Sequence, residues 1–118
     1  MPRYLLLARD PGAWSEAAEA MSPAEIQAII GRYQAWAERV AAQCRLLSGE
    51  KLKDGEGRVL AHRNGQVGVT DGPHTASKEV IGGFWILDAE NYEQAVELAK
   101  DSPHLAFGSL ELREIEEL

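Results

Sequence analysis

The pattern of apolar segments predicts an α+β domain with a ferredoxin-like arrangement, β-α-β-β-α-β, and an inserted β-hairpin. Two segments with helical periodicity alternate with short, apolar, strand-like runs. A further pair of short β-like runs flanks Asn64-Gly65, a strong hairpin signal. The chain has 118 residues with no internal repeat and no linker, so we expect residues 1–118 to form a single domain.

The first strand and the first helix are signalled by uniform apolarity and by capping. Tyr4 to Leu7 is too uniformly apolar for a half-exposed edge, so we place this strand in the middle of the sheet. Asp10-Pro11-Gly12 then predicts a turn that ends this strand. Ser22 to Glu25 forms a capping box at the start of a helix. An apolar stripe at three- and four-residue spacing follows it: Ile26, Ile29, Ile30, Tyr33, Trp36, Ala37, Val40, Ala41 and Cys44.

Several side chains around this helix admit both a structural and a functional interpretation. Trp14 follows the first strand, either as a lid over a pocket or as an anchor on the core, and we favour the anchor. Tyr33 and Trp36 could line a cofactor box, but core packing is the better interpretation. Cys44 lies on the apolar side of the helix and is the only cysteine, so we expect a buried, unreactive thiol and no internal disulfide.

The middle of the chain supplies the next strands. Leu46 to Leu52 is predicted to form a strand, and Asn64-Gly65 joins two short strands into the hairpin, with His62 exposed near its tip. Ile81 to Leu87 is a nearly continuous apolar run, typical of a central strand covered on both faces. Gly82-Gly83 within it is costly in a strand and indicates a bulge or a close approach by a ligand or another backbone.

The C-terminal part supplies the second helix and the last strand. Tyr92, Ala95, Val96 and Ala99 form a helical apolar stripe. Either Asn91 with Gln94 or Asp88 with Asn91 could cap this helix, and Ser102-Pro103 ends it. Alternation of apolar and charged residues then predicts a final strand that contains Leu110, Leu112 and Ile115.

Charge and composition argue against several classes of partner. The net charge is −7, from 19 acidic and 12 basic residues, which disfavours binding to nucleic acid or to an anionic membrane. No apolar run approaches the ~20 residues that span a bilayer, and no signal-like segment begins the chain, so we expect a cytoplasmic protein. The cysteine and the histidines are too few and too poorly spaced to bind a metal ion, so we predict no metal site. These residues are Cys44, His62, His74 and His104. No phosphate-binding glycine-rich loop is present, and we predict no cofactor.

The candidate site lies in the polar segment that follows Asp71-Gly72-Pro73. We predict an acid/base pair of Asp71 and His74, with His104 as an alternative imidazole partner. A carboxylate bonded to imidazole fixes its tautomer and raises its basicity, as general base catalysis near neutral pH requires. In the structural interpretation, Asp71 only caps its turn and the segment is a solvated connection.

The remaining candidate residues would bind a small molecule rather than transfer protons. Lys78 or Arg113 could hold a carboxylate or an enolate-like charge. Glu79 adds a carboxylate beside Lys78, and Gly82-Gly83 would let a ligand approach the backbone. In the alternative interpretation, Lys78 and Glu79 are solvated and Arg113 pairs with a neighbouring carboxylate.

An ordered set of motifs resembles the DGPF group of the YCII-related family. Asp71-Gly72-Pro73 is the defining motif, although the position that is usually Phe is His74 here. The residue after Arg113 is usually Pro and is Glu114 here. The similarity covers nearly the whole chain through these further segments: Tyr4 to Leu7, Trp14, Lys78-Glu79, Gly82-Gly83-Phe84, Asp88, Tyr92 to Ala95 and Gly108 to Arg113.

The resemblance implies a ferredoxin-like domain of the dimeric α/β-barrel type, which forms a homodimer through its sheet. It implies an unknown small molecule as ligand, since most of the group has no assigned reaction and a few distant members act on small aromatic or lactone-like compounds. An Asp–His pair has been proposed as the active site of those members. Other members are encoded beside, or fused to, extracytoplasmic-function sigma factors.

Three hypotheses about function remain at this point. The first is proton transfer, isomerisation or elimination on a small polar organic compound. The second is a non-catalytic module that senses a metabolite or binds a regulator linked to sigma factors. The third is a purely structural subunit, in which neither Asp71 nor any histidine matters beyond stability.

Overall fold

Six strands and two helices make up the part of the chain that the structure, a computed structural model, describes: residues 1–11, 20–72 and 79–118. Pro11 and Glu79 are described by their backbone only. The elements follow in the order β1 (Arg3–Pro11), α1 (Pro23–Gln43), β2 (Leu46–Lys51), β3 (Arg58–Arg63), β4 (Gln66–Asp71), β5 (Glu79–Asp88), α2 (Tyr92–Lys100), a 3-10 helix (Pro103–Ala106) and β6 (Ser109–Ile115).

Four strands form one antiparallel sheet and the other two form a separate hairpin. The larger sheet has the order β2-β5-β1-β6, with β5 and β1 in its interior. β3 pairs only with β4 in a two-stranded sheet. The predicted α+β class is therefore present, and the arrangement is compatible with a ferredoxin-like fold. Among the described elements, neither helix is long and apolar enough to cross a membrane.

Both helices begin with the side-chain caps that the sequence predicts. Ser22 Oγ accepts a hydrogen bond from the backbone N–H of Glu25 at 3.2 Å, which caps α1. Asn91 Oδ1 accepts from the backbone N–H of Gln94 at 2.9 Å, which caps α2. Of the two alternatives for the second cap, the structure therefore contains the Asn91 one.

The core lies between one face of the larger sheet and both described helices. Tyr4, Leu6 and Leu87 on the sheet contact Trp36 and Val40 of α1 and small side chains of α2. The indole Nε1 of Trp36 donates to the carbonyl of Leu98 at 2.9 Å, which satisfies its one buried donor. The core-packing interpretation of Trp36 is therefore correct.

The described helices cover only one face of the larger sheet, whereas the sequence predicts cover on both faces of Ile81 to Leu87. We call the other face the open face. Strand alternation directs Phe84 and Ile86 away from the helices, and they remain half-buried beside Leu5 and Leu7. The run is apolar because β5 is an interior strand. Only one of its faces is covered by the described helices.

Candidate acid–base site

The candidate site lies at the end of the sheet where β1 ends and β6 begins. The register pairs Arg9 of β1 with Ser109 of β6. His104 lies in the 3-10 helix just before β6 and is 4% exposed. Asp10, the residue after Arg9, is 9% exposed. This strand pairing therefore brings a buried carboxyl and a buried imidazole to the same end of the core.

His104 and Asp10 are in direct contact. The ring Nε2 of His104 lies 3.3 Å from Oδ1 of Asp10. The same nitrogen lies 3.0 Å from the backbone carbonyl oxygen of Arg9. Because a carbonyl oxygen can only accept a hydrogen bond, Nε2 carries a proton and donates it. The contacts of one imidazole nitrogen thus fix the tautomer of His104.

The second nitrogen of His104 faces a tyrosine of α1. Nδ1 lies 3.1 Å from the hydroxyl oxygen of Tyr33. With the proton on Nε2, the Nδ1 of a neutral ring is an acceptor, so Tyr33 donates its O–H to it. The ring of Tyr33 is stacked at 15° on Trp85, with the centroids 6.1 Å apart. We call Asp10, His104 and Tyr33 the Asp10–His104–Tyr33 relay: Tyr33 is hydrogen-bonded to His104, and Asp10 is in close electrostatic contact with it.

Burial raises the pKa of the side chains at both ends of the relay, Asp10 and Tyr33. Desolvation raises the pKa of Asp10, and the nearby His104 opposes this shift. Desolvation, with a smaller contribution from the charge of Asp10, raises the pKa of Tyr33 to about 12. Tyr33 therefore remains protonated at neutral pH and donates its O–H to Nδ1 of His104.

Two glycines make room for the relay. A Cβ on Gly82 would overlap Oδ2 of Asp10, and a Cβ on Gly108 would overlap the carbonyl oxygen of Arg9. The pairing of β1 with β5 shifts between Ala8 and Arg9, which leaves Gly82 as the extra residue of a β-bulge. The predicted bulge or close approach at Gly82 is therefore present, and the approaching group is a side chain of the same chain.

The structure separates Asp71 from the relay. Asp71 ends β4 in the hairpin, its side chain is 95% exposed, and its Oδ1 lies 3.7 Å from Nη1 of Arg58. His74 and Lys78 lie outside the described residues, so the predicted Asp71–His74 pair stays a prediction. The carboxyl partner of His104 is Asp10 rather than Asp71.

The other predicted binding residues divide between the two faces of the sheet. Arg113 is exposed and pairs with Leu5 on the open face, away from the relay. Gly82 adjoins Asp10, and a Cβ on Gly83 would come within 2.8 Å of the carbonyl oxygen of Glu50. The backbone of Glu79 pairs with Pro11, and its side chain lies outside the described residues.

Sequence reasoning misses Asp10 and assigns Tyr33 to the core. Asp10 is interpreted as a turn residue because Pro11-Gly12 follows it. The available signal is the strand order, because a ferredoxin-like sheet places the end of its first strand beside the start of its last. His104 precedes that last strand, so the order could have paired it with Asp10.

Other features of the described residues do not extend this site. No three His, Cys, Asp or Glu residues among them are grouped as a metal site would require. A cleft of about 220 Å³ lies between α1 and α2, and Arg39, Glu97 and Asp101 contribute to its lining. It shares no residue with the relay.

Comparison with known protein families identifies the family to which the chain belongs. The model of the YCII-related domain matches residues 3–118. The chain belongs to the YCII-related family. The resemblance at family level is thus confirmed across nearly the whole sequence. A comparison with curated proteins finds no match.

Proposed function

We propose that this YCII-related protein is an enzyme that transfers protons on a small polar organic molecule through the Asp10–His104–Tyr33 relay. The observation that supports it is the anchoring of His104 Nε2, which is hydrogen-bonded to the Arg9 carbonyl at 3.0 Å and lies 3.3 Å from Oδ1 of Asp10. This anchoring leaves Nδ1 as the basic nitrogen. A buried carboxylate beside imidazole is a typical arrangement for general acid–base catalysis.

The relay moves a proton in one concerted step. The substrate loses a proton to the hydroxyl oxygen of Tyr33, while the original hydroxyl proton of Tyr33 passes to Nδ1 of His104. The imidazolium that forms is stabilised by the negative charge of the nearby Asp10 carboxylate, 3.3 Å from Nε2. Reversal of the same transfers returns the proton to another atom of the substrate, which completes an isomerisation or assists an elimination.

The substrate-binding side of this proposal uses the polar residues that the sequence predicts to bind a ligand. Lys78 and Glu79 remain predicted binding residues, and Gly82 and Gly83 would admit the ligand to the backbone. Arg113 lies on the open face and would act only on a ligand bound there. Asp71 with His74 is a second predicted acid/base pair, independent of the relay.

The finer family features belong to the same proposal. The motif Asp71-Gly72-Pro73 supports membership of the DGPF group. We also propose a cytoplasmic homodimer with a dimeric α/β-barrel arrangement. The half-buried apolar side chains on the open sheet face, Leu5, Leu7, Phe84 and Ile86, support dimerisation because a second sheet would cover them.

A non-catalytic role is the second candidate, and one observation favours it. Both ring nitrogens of His104 have partners within the protein, and its side chain is only 5% exposed. A relay closed in this way could serve mainly to hold β1, α1 and the 3-10 helix together. The domain would then sense a metabolite or bind a regulator linked to sigma factors.

Deuterium exchange tests the catalytic proposal even though the natural substrate is unidentified. Small aromatic and lactone-type compounds would be incubated with the protein in D₂O, and loss of C–H signals followed by ¹H NMR. We expect enzyme-dependent exchange that falls at least ~100-fold in Asp10→Asn, because general acid–base catalysis contributes about 10²–10⁴-fold. Asp101→Asn, an exposed carboxyl in the cleft between α1 and α2, is the matched control.

The outcome separates the two candidate functions. Exchange that is unchanged in Asp10→Asn would exclude the relay as the proton-transfer group. Compounds that bind the protein, as measured by calorimetry, but never exchange would favour the sensing function.

A further inference from the structure

Lys51 and Asp10 lie on the same face of the larger sheet, on either side of β5. The register pairs Lys51 of β2 with Gly83 of β5, and Gly83 with Ala8 of β1. Directly paired residues direct their side chains to one face, and Ala8 is buried on the face that packs against the helices. Asp10 follows two residues after Ala8, and its side chain contacts His104 on that face. The side chain of Lys51 therefore starts from the same side of the sheet as the relay.

No side chain of β5 lies between these two charged groups. The β5 positions that separate them are Gly82 and Gly83, which we call the glycine floor. Neighbouring strands are about 4.8 Å apart, so the backbones of β1 and β2 are separated by roughly 10 Å across β5. The backbone N–H of Leu52 donates to the carbonyl of Gly82 at 2.9 Å, which holds the end of β2 beside the bulge. The glycine floor thus separates a cation from a buried carboxyl by about the width of a small molecule.

Two stacked aromatic rings lie next to the glycine floor. Trp85 of β5 pairs with Gly49 of β2, two residues before Lys51. A Cβ on Gly49 would come within 2.5 Å of Cδ1 of Trp85, so the glycine lets the indole lie over β2. Tyr33, which donates to Nδ1 of His104, is stacked on this indole at 15°. A planar molecule beside Lys51 would therefore meet a flat aromatic surface that leads to the hydroxyl group of the relay.

Lys51 has both the charge and the hydrogen-bond donors to bind an anion. Its side chain is 64% exposed, and Nζ lies 2.9 Å from the carbonyl oxygen of Leu52 and 3.1 Å from Oδ1 of Asp54. An ammonium group has three N–H donors, so these two acceptors in the described part of the chain leave one donor for a ligand. The ion pair with Asp54 is partly exposed, and such pairs contribute little to stability, so a ligand carboxylate can replace Asp54 at small cost.

The charge of Lys51 also acts on the relay. Desolvation raises the pKa of Asp10, and His104 lowers it. Asp54 raises this pKa further, and Lys51 lowers it. An anion held by Lys51 would therefore lie within electrostatic reach of the groups that move the proton.

We propose that Lys51 binds the carboxylate of a small planar substrate that lies over the glycine floor, with its reacting C–H directed toward Tyr33. This inference rests on the proposed proton transfer and names the substrate class, a planar aromatic or unsaturated carboxylate. The ammonium group binds the carboxylate as a point charge and stabilises the negative charge that grows on the substrate as its proton leaves. The carboxyl group of Asp10 disfavours a second carboxylate beside it, so the charged end of the substrate faces Lys51.

Binding of benzoate to the full chain tests this assignment. An NMR titration at constant ionic strength would follow the backbone amide signals of Gly82 and Gly83, with benzamide as the neutral isostere of benzoate. We expect benzoate to shift these signals, and benzamide to bind at least ~10-fold more weakly because it lacks the charge. Lys51→Gln should raise the Kd of benzoate at least ~10-fold, because it removes a charged hydrogen-bond donor. Lys51→Arg keeps the charge, so its Kd should stay within ~3-fold of the wild type.

Lys100→Gln is the matched control. Lys100 of α2 is 62% exposed and pairs with the carboxylate of Glu97 three residues away, as Lys51 pairs with Asp54. Its removal should change the Kd of benzoate less than ~2-fold, because an exposed, distant charge is screened by salt. An equal rise of Kd in Lys100→Gln and Lys51→Gln would overturn the assignment, since net charge alone would then explain the binding.

Three other results would also overturn the carboxylate site. They are a Kd of benzoate that Lys51→Gln leaves unchanged, equal affinity for benzamide and benzoate, and no shift of the Gly82 and Gly83 signals up to ~50 mM benzoate, a concentration that would detect even very weak binding.

Deuterium exchange on planar carboxylates separates this inference from the proposed function. We expect exchange to fall in both Asp10→Asn and Lys51→Gln, and to persist in Lys100→Gln. Exchange that is lost in Asp10→Asn but unchanged in Lys51→Gln would overturn the role of Lys51 and leave the relay standing. Benzoate binding that depends on Lys51, without exchange of any compound by the wild type, would support the carboxylate site and overturn the proton transfer.

Discussion

Asp10 and Asp71 lie in similar local sequences and in opposite environments. Each lies at the end of a strand and is followed by proline and glycine, in Asp10-Pro11-Gly12 and Asp71-Gly72-Pro73. The Asp10 side chain is 13% exposed and contacts His104. The Asp71 side chain is 95% exposed and lies near Arg58. A turn motif therefore predicts a change in chain direction, but it does not predict whether the carboxyl group of its aspartate is buried or exposed.

The position of the strand makes the difference. β1 lies inside the four-stranded sheet, so its end is surrounded by β5, β6 and the 3-10 helix. β4 lies in a two-stranded hairpin with one strand beside it. A carboxyl group at the end of an interior strand loses water and gains protein partners, and its chemistry changes with them.

The largest expected effect comes from closing the space around Asp10. Gly82→Ala places a Cβ where Oδ2 of Asp10 lies, so we expect a loss of about 1–3 kcal/mol in the free energy of unfolding. Gly31→Ala in α1 is the control, because its Cβ would meet nothing within 4 Å. Alanine there should stabilise the helix by about 0.5–1 kcal/mol. Urea denaturation of both variants measures the contrast, and equal effects would contradict the packing around Asp10.

Removal of the tyrosine hydroxyl tests the other end of the relay. Tyr33→Phe leaves Nδ1 of the buried His104 without its donor, and a buried acceptor left unsatisfied costs about 1–3 kcal/mol. Tyr92→Phe removes a hydroxyl that accepts from Glu114 N–H at 2.8 Å at an exposed position. Water can replace that bond, so a smaller loss is expected. A larger loss in Tyr92→Phe than in Tyr33→Phe on chemical denaturation would argue against the relay.

The dependence of folding stability on pH gives a further test of the burial of Asp10. Because burial raises the pKa of Asp10 in the folded state, its protonated form favours folding. This contribution is complete below the unfolded-state pKa near 3.8 and is lost as pH rises through the higher folded-state pKa. The stability of Asp10→Asn relative to wild type should therefore increase as pH rises from ~3.5. Thermal unfolding from about pH 3.5 to 7 would show it, and the opposite slope would contradict a buried Asp10.

The smallest effect is expected at Asp71. Its contact with Arg58 is 3.7 Å long and solvent-exposed on both sides, and such pairs contribute little to stability. Asp71→Asn should leave the urea midpoint unchanged within error at neutral pH. A clear loss would mean that Asp71 has a buried partner.

The elements of the fold were largely predictable because their signals are local. The Ser22 and Asn91 caps, the Asn64-Gly65 turn and the apolar interior strands depend on nearby residues or on simple periodicity. The open face beside Phe84 was not predictable, because an interior strand is apolar whether one or both faces are covered.

The site was only half predictable because its contacts are long-range. His104 could be selected as a candidate imidazole, but its partners Asp10 and Tyr33 lie 94 and 71 residues away along the chain. No spacing rule joins them. The pairing of β1 with β6 and the packing of α1 bring them together, and only the assembled sheet contains that information.

The most direct test of the relay is the tautomer of His104, measured by long-range ¹H–¹⁵N NMR of the imidazole rings. At a pH where the ring is neutral, we predict a proton on Nε2 in the wild type and in Asp71→Asn. We also predict a changed pattern of ring ¹⁵N shifts in Asp10→Asn and in Tyr33→Phe. A proton on Nδ1 in the wild type, or ring shifts that respond to Asp71→Asn but not to Asp10→Asn, would contradict the relay.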